Sequence, residues 1–189
     1  IALHLGITAE QLDERMATLD PVAMRLAVKE GIHGCTLIND TYNSDINSLD
    51  IALDFMNRRP DQNGQRRTLI LSDIYQSGET QQRLYEKVSE LALNRGVQKF
   101  IGIGSVLKAN ASAIHVPECH FFDDVASFTA SEVFRNLHDE LILVKGSRTF
   151  GFDYIAELLE QKVHETILEV NLNALVDNFN YYRSLMKPE

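Results

Sequence analysis

Cys35-Thr36-Leu37-Ile38-Asn39-Asp40-Thr41-Tyr42-Asn43-Ser44-Asp45 is the stretch on which the fold turns. A short apolar run ends in an amide and a carboxylate, and the polar, turn-forming residues after it open a helix. From Asp45 to Asn57 the residues Leu49, Ala52, Leu53 and Met56 recur at helical spacing and define one buried face. A strand that ends in Asn-Asp and turns into a helix N-terminus places carboxylate, amide and phenol groups at one edge of a sheet. In open α/β folds that carboxyl edge is where ligands bind.

Outward from this unit the same alternation continues. Strands are expected at 68–71, 99–103, 119–122 and 141–144, followed by helices at 79–95, 106–110, 125–137 and 154–162. Short apolar strands alternating with amphipathic helices give an α/β fold, a mostly parallel sheet with helices on both faces. Upstream, 25–30 and 34–39 read as two strands joined around Gly31-Ile32-His33-Gly34, so the first strand is an antiparallel edge. A helix over 8–19, capped by Thr8, ends at Asp20-Pro21, which marks a domain boundary. After Lys162 a further strand, 166–170, and a helix, 173–186, either extend the sheet or open a second domain. Ile1 and Glu189 both interrupt a pattern, and the chain reads as a piece of a longer polypeptide.

Composition narrows the function classes. The chain has 189 residues, 44% hydrophobic and 24% charged, with a net charge of −9, which disfavours nucleic acid and anionic membranes as partners. No run reaches the roughly 20 apolar residues of a membrane span, and no signal peptide opens the chain, so a cytoplasmic protein is expected. Cys35 and Cys119 lie in apolar runs and are expected to be buried free thiols. The six histidines show no metal-ligand spacing, and no nucleophile triad is apparent. Gly102-Ile103-Gly104 gives a tight strand-to-helix turn, since Leu107 stands where a dinucleotide loop needs its third glycine.

Two further strand ends carry chemistry. Lys145-Gly146-Ser147-Arg148 closes the strand 141–144; it suits a carboxylate or phosphate ligand, or is a solvated turn paired with local acids. Leu71-Ser72-Asp73-Ile74 closes the strand 68–71; Asp73 either orients a cationic group or caps a helix.

Taken together, Arg25-Leu26, Asn39-Asp40-Thr41-Tyr42-Asn43, Leu71-Ser72-Asp73 and Lys145-Gly146-Ser147-Arg148 resemble, in order and spacing, the C-terminal domain of a Mur ligase. The resemblance is to the type that adds D-alanyl-D-alanine to UDP-N-acetylmuramoyl-tripeptide in peptidoglycan synthesis. It implies a Rossmann-like sheet over residues 21–162 that closes on ATP and Mg2+ held mainly by a preceding central domain, of which residues 1–20 resemble the tail. By the same resemblance Arg25 reaches the ATP phosphates, Asp40 the ribose hydroxyls, and Tyr42 and Asn43 lie beside the nucleotide. Asp73, Lys145, Ser147 and Arg148 would face the incoming dipeptide. In the implied reaction ATP converts the tripeptide carboxylate to an acyl phosphate, releasing ADP, and the dipeptide amine then displaces phosphate. The chain departs from the family pattern at Asn39, at Ser44-Asp45-Ile46, and at Ser72, Ile74, Gln76 and Ser77. The family's phosphate-cradling loop does not occur in this sequence, so the chain by itself is not expected to ligate.

A second, shorter resemblance covers 163–189. Thr166-Ile167-Leu168-Glu169-Val170-Asn171-Leu172-Asn173-Ala174-Leu175, with Asn178 and Tyr182-Arg183, is similar to the opening strand and helix of an alanine racemase. That family holds pyridoxal phosphate on a downstream lysine. The implied polypeptide is a ligase fused to a racemase, with the rest of its own chain as partner. The competing expectation is a degenerate ligase domain that only scaffolds the racemase.

Overall fold

The computed structural model describes residue 8 and residues 25–59, 64–74, 78–161 and 172–186. The readings for the helix at 8–19, the Asp20-Pro21 boundary, the strand at 166–170 and Gln76 therefore lie outside the described residues.

The strands are β1 (Ala27–Glu30), β2 (Thr36–Asp40), β3 (Arg66–Ser72), β4 (Lys99–Ile103), β5 (Glu118–Phe122) and β6 (Glu140–Lys145). The helices are α1 (Ile46–Arg58), α2 (Gln81–Asn94), α3 (Ser105–Ala109), α4 (Val125–Thr129), α5 (Glu132–Arg135), α6 (Phe152–Leu159) and α7 (Leu172–Leu185). One sheet runs in the order β1-β2-β6-β3-β4-β5. β1 is antiparallel to β2, and every other pairing is parallel. The expected edge hairpin is present, with a 3-10 turn at Ile32–Gly34 between its strands.

Why the central strands read as unbroken apolar runs is clear from their two faces. In β2, Ile38 packs with α1 and α2 while Leu37 packs with α6. In β6, Leu143 faces the first layer, and Ile142 and Val144 face the second. Both faces are covered, so both parities must be apolar. Helix α1 buries Leu49, Ala52, Leu53 and Met56, the four residues its periodicity singles out.

Asp45 fixes where α1 starts. Its carboxylate accepts from the backbone N–H groups of Asn47 (3.0 Å) and Ser48 (2.9 Å), and Ser48 Oγ accepts from Asp45 N at 3.4 Å. Burial alone would raise this carboxyl's pKa, but these donors and the Lys145 charge hold it below its ordinary value. Replacing such a cap by alanine costs about 1 kcal/mol. Asp45→Ala is therefore expected to lower the unfolding free energy by that amount, read as a lower denaturant midpoint at an unchanged m-value; an unchanged midpoint would show that the cap contributes nothing.

Two expectations need correction. The single helix read over 125–137 is two helices, because Ser131 interrupts it. Its hydroxyl donates to Phe128 O (2.6 Å), closing α4, and accepts from Phe134 N (3.2 Å), opening α5. A serine that satisfies the backbone locally competes with helix continuation. Cys119 is partly exposed, unlike the buried Cys35, because it lies on the edge strand β5; burial raises both thiol pKa values.

Among the described residues no helix is long and apolar enough to cross a membrane.

Candidate functional site at the carboxyl edge

The strand register builds the site. Asp40 and Lys145 are paired last residues of the parallel strands β2 and β6. Each follows a first-layer residue (Ile38, Leu143) by two, so both side chains emerge on the α1 face of the sheet. There Lys145 Nζ lies 2.9 Å from Asp40 Oδ2, and it also donates to the backbone carbonyl of Asn43. The Lys145 side chain is 1% exposed and that of Asp40 12%. The loop between β2 and α1 is tied down by its own side chains. Thr41 donates to Asn39 Oδ1 (2.9 Å), Ser44 N to Asn43 Oδ1 (2.8 Å), and Asn43 Nδ2 to Asp45 Oδ2 (3.0 Å).

Over this loop lies an open cavity of about 230 Å³, lined by Arg25, Leu26, Asp40, Tyr42, Asn43, Ser48, Ile51 and Lys145. The Arg25 guanidinium rests 4.4 Å from the centre of the Tyr42 ring. A guanidinium, an exposed phenol ring and a carboxylate thus share one opening: a donor for phosphate, a face for a planar base and an acceptor for sugar hydroxyls. The volume falls below the roughly 300–1,000 Å³ of a pocket that encloses a whole small ligand. Arg25, Asp40, Tyr42 and Asn43, singled out in the sequence as one group, are brought together here, and Lys145 joins them.

Asp73 is placed elsewhere. It lies beyond the carboxyl end of β3, 2% exposed, and its carboxylate accepts from Leu107 N (2.7 Å) and Val106 N (3.2 Å) at the start of α3. Gly104 has φ +139, and a Cβ there would strike the Asp73 carboxylate, so the β4–α3 turn requires glycine. Burial raises the Asp73 pKa, and the two N–H groups only partly offset it. Of the two readings left open for Asp73, the bonds made are those of a cap, across the sheet rather than on its own following helix.

After β6 the chain turns at Gly146, where a Cβ would run into the Phe152 ring. Ser147 Oγ and Thr149 Oγ1 are 2.6 Å apart in the exposed loop, and Arg148 opens the 3-10 turn Arg148–Phe150. Sequence reasoning did not pick out Ser48 or Ile51, and it named Leu26 only as the neighbour of Arg25, with no role. Ile51 carried a readable signal, since it is 63% exposed and lies off the apolar stripe of α1. Leu26 adopts φ 49, a left-handed conformation that nothing in its side chain announces. Among the described residues no group of three or more His, Cys, Asp or Glu side chains is placed to hold a metal ion.

A mostly parallel six-stranded sheet with an antiparallel edge and a polar carboxyl rim is the Rossmann-like architecture of the C-terminal domain of Mur ligases. The particular relatives are consistent with one another. The UDP-N-acetylmuramoyl-tripeptide–D-alanyl-D-alanine ligase of Escherichia coli strain K12 is 25% identical over 162 residues, which is 85% of this chain and 35% of that protein. The MurF ligase from Thermotoga maritima in complex with ADP matches with a TM-score of 0.64 and 19% identity, over 83% of this chain and 34% of that one. A MurF structure from Acinetobacter baumannii gives a TM-score of 0.65 and 20% identity, over 85% and 35% of the two chains. No family profile matches the chain. In sequence and fold the chain is thus similar to a peptidoglycan-ligase domain, and it spans 35% of the curated relative's length.

Proposed function

We propose that this chain is the nucleotide-closing, acceptor-binding domain of an ATP-dependent amide-bond ligase that joins D-alanyl-D-alanine to UDP-N-acetylmuramoyl-tripeptide. The observation that carries this reading is the convergence of Arg25, Asp40 and Tyr42 on one open cavity at the carboxyl edge. A relative with ADP bound shares the fold, and the curated relative acts on the named tripeptide and dipeptide. In this reading Arg25 swings from the Tyr42 ring to the phosphates, Asp40 accepts from the ribose hydroxyls, and Tyr42 and Asn43 border the nucleotide. Ser147 and Arg148 face the acceptor dipeptide. Catalysis then comes from positioning and charge stabilisation across the closing domains rather than from a nucleophile of this chain.

In this reading the cavity is one wall of the ATP and Mg2+ site, and the rest is assigned to a central domain of the same polypeptide. The tail favours a fusion to a pyridoxal-phosphate-dependent alanine racemase. On α7, Leu172, Leu175, Val176, Phe179, Tyr182 and Leu185 are 54–71% exposed, as expected of a helix that belongs to another core.

The test is ADP release by the full-length protein given ATP and UDP-N-acetylmuramoyl-tripeptide, with and without D-alanyl-D-alanine. Dipeptide-dependent release is expected. A folded, full-length protein that releases no ADP under either condition would instead support a degenerate domain that scaffolds its neighbour.

A further inference from the structure

Lys145 was expected, from the Lys-Gly-Ser-Arg resemblance, to meet the carboxylate of the acceptor. Its surroundings give it other work. The ammonium is among the most buried side chains of the domain, and its partners are Asp40 Oδ2 and the carbonyl of Asn43. One ends β2 and the other lies in the β2–α1 loop, and both residues line the cavity. The pairing follows from register, because Asp40 and Lys145 are directly opposed on parallel strands. The backbone next to it leaves little freedom, since Gly146 packs against Phe152. An ammonium already neutralised and hydrogen-bonded inside the sheet edge is poorly placed to leave for a diffusing carboxylate, because its departure would strand the Asp40 charge.

We propose that Lys145 is a positioning residue of the nucleotide site: it holds one oxygen of Asp40, leaves Oδ1 for the ligand, and anchors the loop that carries Tyr42 and Asn43. Among the described residues Asp40 Oδ1 accepts no hydrogen bond, while Asp40 lines the cavity. The proposal rests on the nucleotide reading of this cavity. It moves Lys145 from the acceptor side of the reaction to the ATP side, leaving Ser147 and Arg148 beyond the Gly146 turn for the acceptor.

The experiment compares Lys145→Met, Asp40→Asn and the double variant in the full-length protein, measuring KM for ATP and for D-alanyl-D-alanine separately. Lys145→Met is expected to raise KM for ATP about 10- to 100-fold, the range seen when a group that orients a metal ligand is removed, with KM for the dipeptide unchanged. The double variant is expected to be no worse than the poorer single, since both changes disable one unit. Because Lys145→Met leaves Asp40 unpaired, the double variant also serves as the folding control, and amide exchange at residues 41–45 without nucleotide should quicken in Lys145→Met. A raised dipeptide KM with an unchanged ATP KM, or additive single effects, would overturn the positioning role while leaving the nucleotide site intact. Failure of the wild-type protein to use ATP would remove the nucleotide reading itself, and this proposal with it.

Discussion

Arg25→Ala in the full-length protein is expected to lower ATP-dependent turnover about 100- to 1,000-fold, the loss typical when one preorganised charge-stabilising donor is removed from a reacting centre. The fold should not notice. Arg25 is exposed, and its guanidinium lies over the face of Tyr42, a contact worth about 0.5–1 kcal/mol at an exposed site. An unchanged melting temperature beside a collapsed kcat would separate charge stabilisation from folding. Asp40 needs a milder substitution, because Asp40→Ala would strand Lys145. Asp40→Asn keeps the shape but weakens acceptance from ribose hydroxyls, so it should act mainly on KM for ATP. Wild-type turnover from Arg25→Ala would defeat the assignment of the cavity.

The largest expected stability effect lies at the opposite edge of the sheet. Lys99 and Glu140 begin β4 and β6, and their side chains are 7% and 5% exposed with Nζ and Oε1 2.6 Å apart. Thr68 donates its hydroxyl to the other oxygen of Glu140. Glu118 extends the group outward, 2.5 Å from Arg66 and 2.9 Å from His120; burial opposes its ionisation, but these donors win and hold its pKa at about 2. Lys99→Met removes the only cation bonded to Glu140 among the described residues and leaves a buried carboxylate. Breaking a buried pair from one side costs about 3–5 kcal/mol, or roughly 6–20 °C in Tm for a domain of this size. Lys99→Met with Glu140→Leu should recover most of that loss, since a buried pair is often replaceable by apolar side chains. A wild-type Tm for Lys99→Met alone would show that the pair is not effectively desolvated.

The sheet was legible because both of its faces are covered, which writes each central strand as a continuous apolar run between turn residues. β4 falls at 99–103 as read, and the other strands begin or end within about two residues of expectation, the usual uncertainty of an element's end. Helix α1 was legible for a different reason, since a capping aspartate precedes four apolar residues at helical spacing. The 125–137 segment was not, because Ser131 acts through its backbone bonds, which periodicity does not register.

The site was legible in part. Strand ends rich in Asp, Asn and Lys mark the carboxyl edge, and Arg25, Asp40 and Tyr42 do meet there. What the one-dimensional pattern could not supply is which strand ends are neighbours. Because β6 inserts between β2 and β3, Lys145 lands beside Asp40, more than a hundred residues earlier in the chain. Asp73, from the next strand over, turns to the β4 side and spends its oxygens on α3. Cross-strand order decides both outcomes, and it is a property of the folded sheet.

The most direct measurement is a structure of the full-length protein with a non-hydrolysable ATP analogue and Mg2+. The account predicts the Arg25 guanidinium lifted from Tyr42 onto the phosphates, Asp40 Oδ1 within hydrogen-bond distance of a ribose hydroxyl, and Lys145 still on Asp40 Oδ2. A nucleotide seated with neither Arg25 nor Asp40 in contact would contradict it.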